Sequence, residues 1–301
     1  MSSDGVVDQI HISVLLNETL RFLKPGSGGI YVDGTLGLGG HSLSILEKSG
    51  PDGKVIAFEW DESAIEKASV RLSAYHNRLK IIRRNFAEVA AGLDEAGITE
   101  VDGILIDVGL SSLQLDLGER GFSFRRDEIL DMRMDNRQTM TAQSVLATCS
   151  QAELADIFFY YGEERQARPI ASAIVEYRAE KAIKTTKQLV SVIAKAVPKR
   201  FHPKKIHVAT KVFQALRIAV NGELANLAKI LEDGVRFLKP GARFCVISFH
   251  SLEDRIVKAS FKNNKNLEVL TAKAVMPSPE EVAGNKRSRS ARLRVAEKKG
   301  K

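Results

Sequence analysis

The chain has 301 residues, 44% of them hydrophobic, enough for one large or two ordinary domains with real cores. Its formal net charge of +8 and isoelectric point near 9.4 suit an anionic partner, of which nucleic acid is the commonest. Two cysteines, Cys149 and Cys245, make neither a disulfide framework nor a metal quartet; no apolar run approaches the ~20 residues that span a bilayer, and the polar start Met-Ser-Ser-Asp is no secretory signal, so the chain reads as a soluble, cytoplasmic protein without a membrane partner or a metal.

Short apolar runs rich in Val, Ile and Phe recur at 29–33, 54–59, 79–83, 101–107 and 242–249. Between the early ones the period changes to that of a helix, as at Ile65, Ala68 and Leu72. Strands alternating with helices predict an α/β fold with a parallel, doubly wound sheet. More than 130 residues separate Asp107 from Ala242. A crossover needs only a dozen or so, and a structureless loop of that length is not credible. Ser150-x-x-Glu153 and Thr185-x-x-Gln188 read as capping boxes. Leu154, Ile157, Phe158 and Tyr161 form a stripe after the first; Leu189, Val190, Ile193 and Val197 follow the second, which Pro198 ends. These predict a helical domain over 115–212, inserted over the ligand edge of a discontinuous domain formed by 1–114 and 213–301. Residues 213–233 are expected to return to the sheet as one helix. Leu267–Val275 and Ala291–Val295 are the expected last strands, with a loop from Pro277 to Asn285.

The first strand ends in Asp33, and Gly34-Thr-Leu-Gly37-Leu-Gly39-Gly40-His41 follows it. Such a loop lets the backbone turn sharply and approach a ligand. It lacks the Lys-Ser/Thr of a phosphate-binding loop and does not fit Gly-x-Gly-x-x-Gly, so taken alone it leaves S-adenosylmethionine and a dinucleotide both open. Acids ending the first two strands, Asp33 and Glu59, favour the methyl donor. Glu59, twenty residues after Gly39, stands where an acid accepts hydrogen bonds from ribose hydroxyls. His41 opens a helix, whose N-terminus favours an anion, and Phe86 follows the third strand, placed to flank an adenine.

Further blocks are longer and more specific. They are Asp102-Gly-Ile-Leu-Ile-Asp107-Val-Gly-Leu-Ser-Ser-Leu-Gln114, Glu119-Arg-Gly-Phe-Ser-Phe124, Leu130-Asp-Met-Arg-Met-Asp135, Tyr161-Gly-Glu-Glu-Arg165, Phe213-Gln-Ala-Leu-Arg-Ile218, Val220-Asn-Gly-Glu-Leu224, Ser248-Phe-His-Ser-Leu-Glu-Asp-Arg255 and Arg289-Ser-Ala-Arg-Leu-Arg294. In this order and at this spacing they resemble the RsmH (MraW) family of bacterial 16S ribosomal RNA cytosine-N4 methyltransferases, from His11 nearly to the C-terminus. The resemblance implies a Rossmann-like class I methyltransferase with an inserted helical substrate-recognition domain. It implies S-adenosylmethionine as cofactor and methylation of a cytidine in the decoding region of small-subunit ribosomal RNA. Free RNA or an assembled 30S subunit is the expected substrate, with no obligatory protein partner. On the family pattern, cofactor contacts fall on Gly39, Gly40, His41, Glu59, Phe86, Asp107 and Gln114. The chain departs from that pattern in having Glu59 for Asp, Ser13 for Pro, Leu113 where Pro is common and Val208 in a His-Pro-Ala-Thr-like block.

Methyl transfer from a sulfonium is an in-line displacement that needs alignment rather than a covalent enzyme intermediate. Asp107, at the end of the fourth strand, is expected to position the target amino group, and His250 to hold the base or pass on the proton. Asp107 acting on the cofactor alone, and His250 acting within a structural network, are the competing readings. A hydrolase built on His250, Ser251 and Glu253 is disfavoured, because five contiguous residues seldom form a triad. A paired base hides its N4 edge, so the cytidine must be unpaired or flipped out. Arg125, Arg126, Arg133, Lys204, Lys205, Arg287 and Arg289 are the candidate phosphate contacts. The last two belong to a tail, 285–301, with eight basic residues and one acid.

Overall fold

The computed structural model describes residues 13–109 and 119–300. His11 and Gln114 therefore lie outside the described residues. Seven strands form one sheet: β1 (Ile30–Asp33), β2 (Lys54–Phe58), β3 (Leu79–Ile82), β4 (Val101–Asp107), β5 (Leu238–Ser248), β6 (Leu267–Val269) and β7 (Arg292–Lys298). Their order is β3-β2-β1-β4-β5-β7-β6. All neighbours from β3 to β5 run parallel, and β7 enters antiparallel between β5 and β6. This is the mostly parallel, Rossmann-like α/β fold that the sequence predicts.

The strands read as unbroken apolar runs because both faces of the sheet are covered. Ile104, Ile106, Phe244 and Val246 pack into one core, while Leu105, Cys245 and Ile247 pack into another on alternate positions. The helices that cover the sheet include α1 (Leu16–Leu23), α2 (Gly40–Lys48), α3 (Glu62–Arg71) and α4 (Val89–Glu95). Asp61 caps α3 by accepting the amide of Ser63.

Among the described residues, those up to 109 and from Leu227 onward form one compact unit, and those from 119 to Asn226 form a second. The second unit contains α5 (Ala142–Thr148), α6 (Gln151–Asp156), a π-helical turn (Ile157–Tyr161), α7 (Ala167–Glu180), α8 (Thr186–Ala196), a 3₁₀ turn (Lys199–Phe201) and α9 (Thr210–Asn221). Both expected capping boxes form, at Ser150 with Glu153 and at Thr185 with Gln188, and Thr141 with Ser144 makes a third. Leu154, Phe158, Leu189 and Ile193 are fully buried in this unit's own core.

Three details differ from the sequence reading. The helix expected over 213–233 is two helices, because Gly222 adopts the left-handed conformation (φ 60°) that ends α9. Val212, Phe213, Ala215 and Leu216 of α9 pack in the second unit's core, and α10 (Glu223–Phe237) follows. The loop expected over 277–285 contains a short helix started by Ser278 and Pro279. The expected strand 267–275 pairs as a strand only over Leu267–Val269, with Val275 making a lone bridge to Leu293.

Candidate active site

The site lies at the carboxyl ends of β1, β2 and β4. The turn after β1 is tied to both neighbouring strands. Gly34 N–H donates to Leu105 O at 2.8 Å, and Leu36 N–H donates to Phe58 O at 3.0 Å. Asp107 N–H donates to Thr35 Oγ1 at 2.7 Å, so the acid ending β4 is anchored on the turn that follows β1. Asp33 is buried and accepts from Ser42 Oγ (2.6 Å) and Thr35 N–H (3.1 Å). Burial raises its pKa, and these two bonds oppose the rise.

Gly39 has φ 77°, a conformation that L side chains rarely adopt, and caps the start of α2. A Cβ on Gly39 would lie 2.7 Å from Leu72 Cδ1, and one on Gly40 would run into Ser13 Oγ. These two glycines therefore already serve packing within the protein.

Glu59, just past β2, is buried. One carboxylate oxygen accepts the Gly37 amide at 2.9 Å; the other accepts the amides of Trp60 (2.9 Å) and Asp61 (3.0 Å). Burial pushes its pKa up to about 7 against the pull of these backbone donors. Phe86 begins a 3₁₀ turn capped by Asn85, packs against the sheet core and abuts Gly34.

His41 is buried, and Nε2 donates to Val14 O at 3.1 Å. That bond assigns the proton to Nε2 and leaves a lone pair on Nδ1. Nδ1 lies 3.7 Å from Asp107 Oδ2. Burial lowers the His41 pKa to about 4, so the ring is neutral at neutral pH and does not act as a cationic anion clamp. Asp107 is pushed up to about 8, first by burial and then by the charges of Asp33 and Glu253. Its side chain retains 24% exposure, yet Oδ1 is buried without a hydrogen-bond partner among the described residues.

His250 sits in a capping network. It is the N-cap of α11 (Ser251–Asn263), its Nδ1 accepting the Glu253 amide at 3.4 Å. Glu253 Oε2 accepts the amides of Phe249 (2.8 Å) and His250 (3.2 Å) in return. His250 Nε2 stands 2.9 Å from Glu253 Oε1, with 12% of the histidine side chain exposed. This geometry favours the network reading of His250 over a base-holding one. Asp254 pairs with Arg294 at 2.6 Å and with Arg292 at 3.5 Å.

The candidate RNA contacts divide between the units. In the second unit Arg125, Arg126, Lys204 and Lys205 are exposed. The ring of Phe124 meets His207 at 4.9 Å, and Thr186 Oγ1 donates to Arg126 O at 2.8 Å, so segments 60 residues apart in sequence and more are packed together. Arg133 is spent internally. It makes two bonds to Asp131 (2.7 and 2.8 Å) and donates to the carbonyls of Asn136 and Gln138. Its guanidinium braces this loop, which disfavours it as a phosphate contact. Arg287 and Arg289 are exposed on a 3₁₀ turn in the first unit.

Sequence reasoning missed Thr35 and Ser42, which anchor Asp107 and Asp33, and Asn221. The buried Asn221 side chain accepts from Met134 N–H and donates to Met132 O, both at 2.8 Å. An Asn directly before the helix-ending Gly222 is the signal that marks it.

The family model for the MraW methylase family matches residues 8–299. Ribosomal RNA small subunit methyltransferase H of Desulfotalea psychrophila is 66% identical over 291 residues, covering 97% of this chain and 99% of its own. The protein of the same name from Geotalea uraniireducens is 52% identical, covering 96% and 98%. Among solved structures, an rRNA methylase from Streptococcus thermophilus aligns with a TM-score of 0.44 at 12% identity, over 95% of this chain and 94% of its own.

Proposed function

Because the chain belongs to the MraW methylase family, we propose that it transfers the methyl group of S-adenosylmethionine to the exocyclic N4 of an unpaired cytidine in the decoding region of small-subunit ribosomal RNA. The observation that carries this reading is the buried Oδ1 of Asp107, without a hydrogen-bond partner among the described residues, on a strand end anchored to the turn after β1. A buried acceptor without a donor costs free energy unless a ligand supplies one, and an amino group is such a donor.

S-adenosylmethionine, when bound, supplies an electrophilic methyl group on a sulfonium. Glu59 would hold a ribose hydroxyl, since three backbone amides fix the carboxylate and still leave one acceptor direction, on Oε2. Phe86, against Gly34, would flank the adenine, and Gly39 and Gly40 shape the turn beneath. Asp107 Oδ1 accepts an N–H of the cytosine amino group and orients the nitrogen lone pair for displacement. As the N–C bond forms and the S–C bond breaks, N4 acquires positive charge and must lose a proton. The ionised form of Asp107 is the acceptor for that proton; with its pKa raised to about 8 it is a stronger base than an ordinary carboxylate, and the ionised share, and with it turnover, should grow as pH rises towards 8. The neutral His41 keeps a lone pair facing Asp107 and adds no positive charge that would depress it.

The test is incubation of the purified chain with isotopically labelled S-adenosylmethionine and either free 16S ribosomal RNA or 30S subunits, followed by nucleoside mass spectrometry. Labelled N4-methylcytidine is the expected product. Label on a ring carbon, on a ribose or on another base would reject the N4 assignment.

A further inference from the structure

From Lys181 to Gly222, 42 residues contain no Asp or Glu, while ten are Lys or Arg. Two of the ten are engaged within the fold: Arg217 pairs with Glu223, and Lys211 donates to Glu163 O. Lys181, Lys184, Lys187, Lys195, Lys199, Arg200, Lys204 and Lys205 are exposed. In a chain where acids make up 37 of 301 residues, about five would be expected over this length.

Within this segment the 3₁₀ turn Lys199–Phe201 presents an aromatic ring to solvent. Phe201 is 48% exposed, with the Arg200 guanidinium 4.8 Å from its ring centroid, and Ile206 beyond it is 40% exposed. The turn is held from both sides. His202 Nε2 lies 2.9 Å from Val197 O, and His207 Nδ1 accepts the Ala209 amide while its ring packs on Phe124. That packing also brings up the Arg125–Arg126 pair. A solvated face of lysines explains the charge but not an exposed Phe held on a fixed turn among them.

On the reading that the substrate is RNA, we propose that Phe201 is a base-stacking side chain at the centre of a single-stranded RNA site formed by 195–207 with Arg125 and Arg126. Unpaired bases stack on exposed aromatic rings and on guanidinium planes, while surrounding lysines and arginines follow the phosphates. The Arg200–Phe201 pair supplies a ring and a guanidinium already in contact, so little side-chain entropy is lost on binding. The second unit's other exposed aromatic pair, Phe159 (55%) and Tyr160 (62%), lies in a segment, 151–166, with four acids and one basic residue. Like charge repels phosphate there, which makes that pair the control.

The experiment is fluorescence anisotropy with a labelled, cytidine-containing single-stranded oligoribonucleotide across a salt series. Phe201→Ala is expected to weaken binding on the order of tenfold with an unchanged slope of log K against log salt. Phe201→Trp retains wild-type affinity, and Lys204→Ala with Lys205→Ala flattens the slope. Calorimetric binding of S-adenosylhomocysteine, unchanged in every variant, shows that each is folded. An unchanged affinity in Phe201→Ala, an equal loss in Phe159→Ala, or equal binding of a fully paired duplex would overturn the proposal. Binding through Phe201 in a protein that methylates no RNA would instead sink the catalytic reading and leave this one standing.

Discussion

His41 and Asp107 face one another across 3.7 Å, from Nδ1 to Oδ2, each with its charged form disfavoured by burial. The His41 proton is committed to Val14 O, on the segment leading into α1, whose Leu15 amide donates to Glu281 at 2.7 Å. A neutral base thus backs an acid whose second oxygen has no partner among the described residues. Two opposite titrations follow from one pair.

Asp107 holds its proton in the folded state up to about pH 8, against an ordinary value of 3.8. Between these values the folded protein binds more protons than the unfolded chain, so this group's effect on stability turns unfavourable as pH rises through the window. Asp107→Asn removes the titration. Its Tm should gain on the wild type's progressively from about pH 5 to about pH 8, while methyl transfer falls by at least tenfold. Parallel Tm–pH curves for the two proteins would contradict the raised carboxyl.

Glu59 titrates at about 7 in the free protein. A ribose hydroxyl donates to the ionised carboxylate, so ligand binding favours loss of the proton, and affinity should fall as pH drops below about 7. Glu59→Gln should weaken S-adenosylhomocysteine binding by about 10- to 100-fold, the scale of a charge-assisted hydrogen-bond pair, and remove that pH dependence. Isothermal titration calorimetry at several pH values reads both effects.

His250 caps α11 and sits against the fully buried Glu253. His250→Ala should cost about 1 kcal/mol or more of stability, from the lost cap and the exposed imbalance at Glu253. Asn is a strong N-cap residue. If capping is the whole role, His250→Asn restores both melting temperature and turnover; restored stability with turnover still lost would return His250 to the chemistry.

Asn221 satisfies Met134 N–H and Met132 O in the interior of the second unit, where Met132 itself has φ 59°. Asn221→Ala leaves a buried donor without an acceptor and should cost about 1–3 kcal/mol. Chemical denaturation with a probe in the second unit measures it; a loss under about 0.5 kcal/mol would show that the loop re-forms its bonds elsewhere.

The sheet was legible because its strands are buried on two faces and therefore continuous in apolar residues, as at Ile104-Leu105-Ile106. The helix starts at Ser150 and Thr185 were legible because a capping box is a local signal. The second unit's edge was not, because Phe213 and Leu216 carry the same helical period whichever core they pack into. Glu59 and Asp107 were readable from their places at strand ends. The internal pairing of Arg133 was hidden for a different reason: a basic residue two positions after an acid looks like surface charge in sequence, and only the turn shows both bonds to Asp131. The capping place of His250 was not legible either, since a histidine cap and a histidine base have the same neighbours in sequence.

On the proposed function, the glycine turn after β1, Glu59 and Asp107 together seat the methyl donor. A crystal structure of the chain with S-adenosylhomocysteine tests it most directly. The expected density has the ribose on the Glu59 carboxylate, adenine against Phe86 and the thioether sulfur on the side of Asp107. Density for the ligand at another place, with Glu59 and Asp107 as they are here, would contradict it.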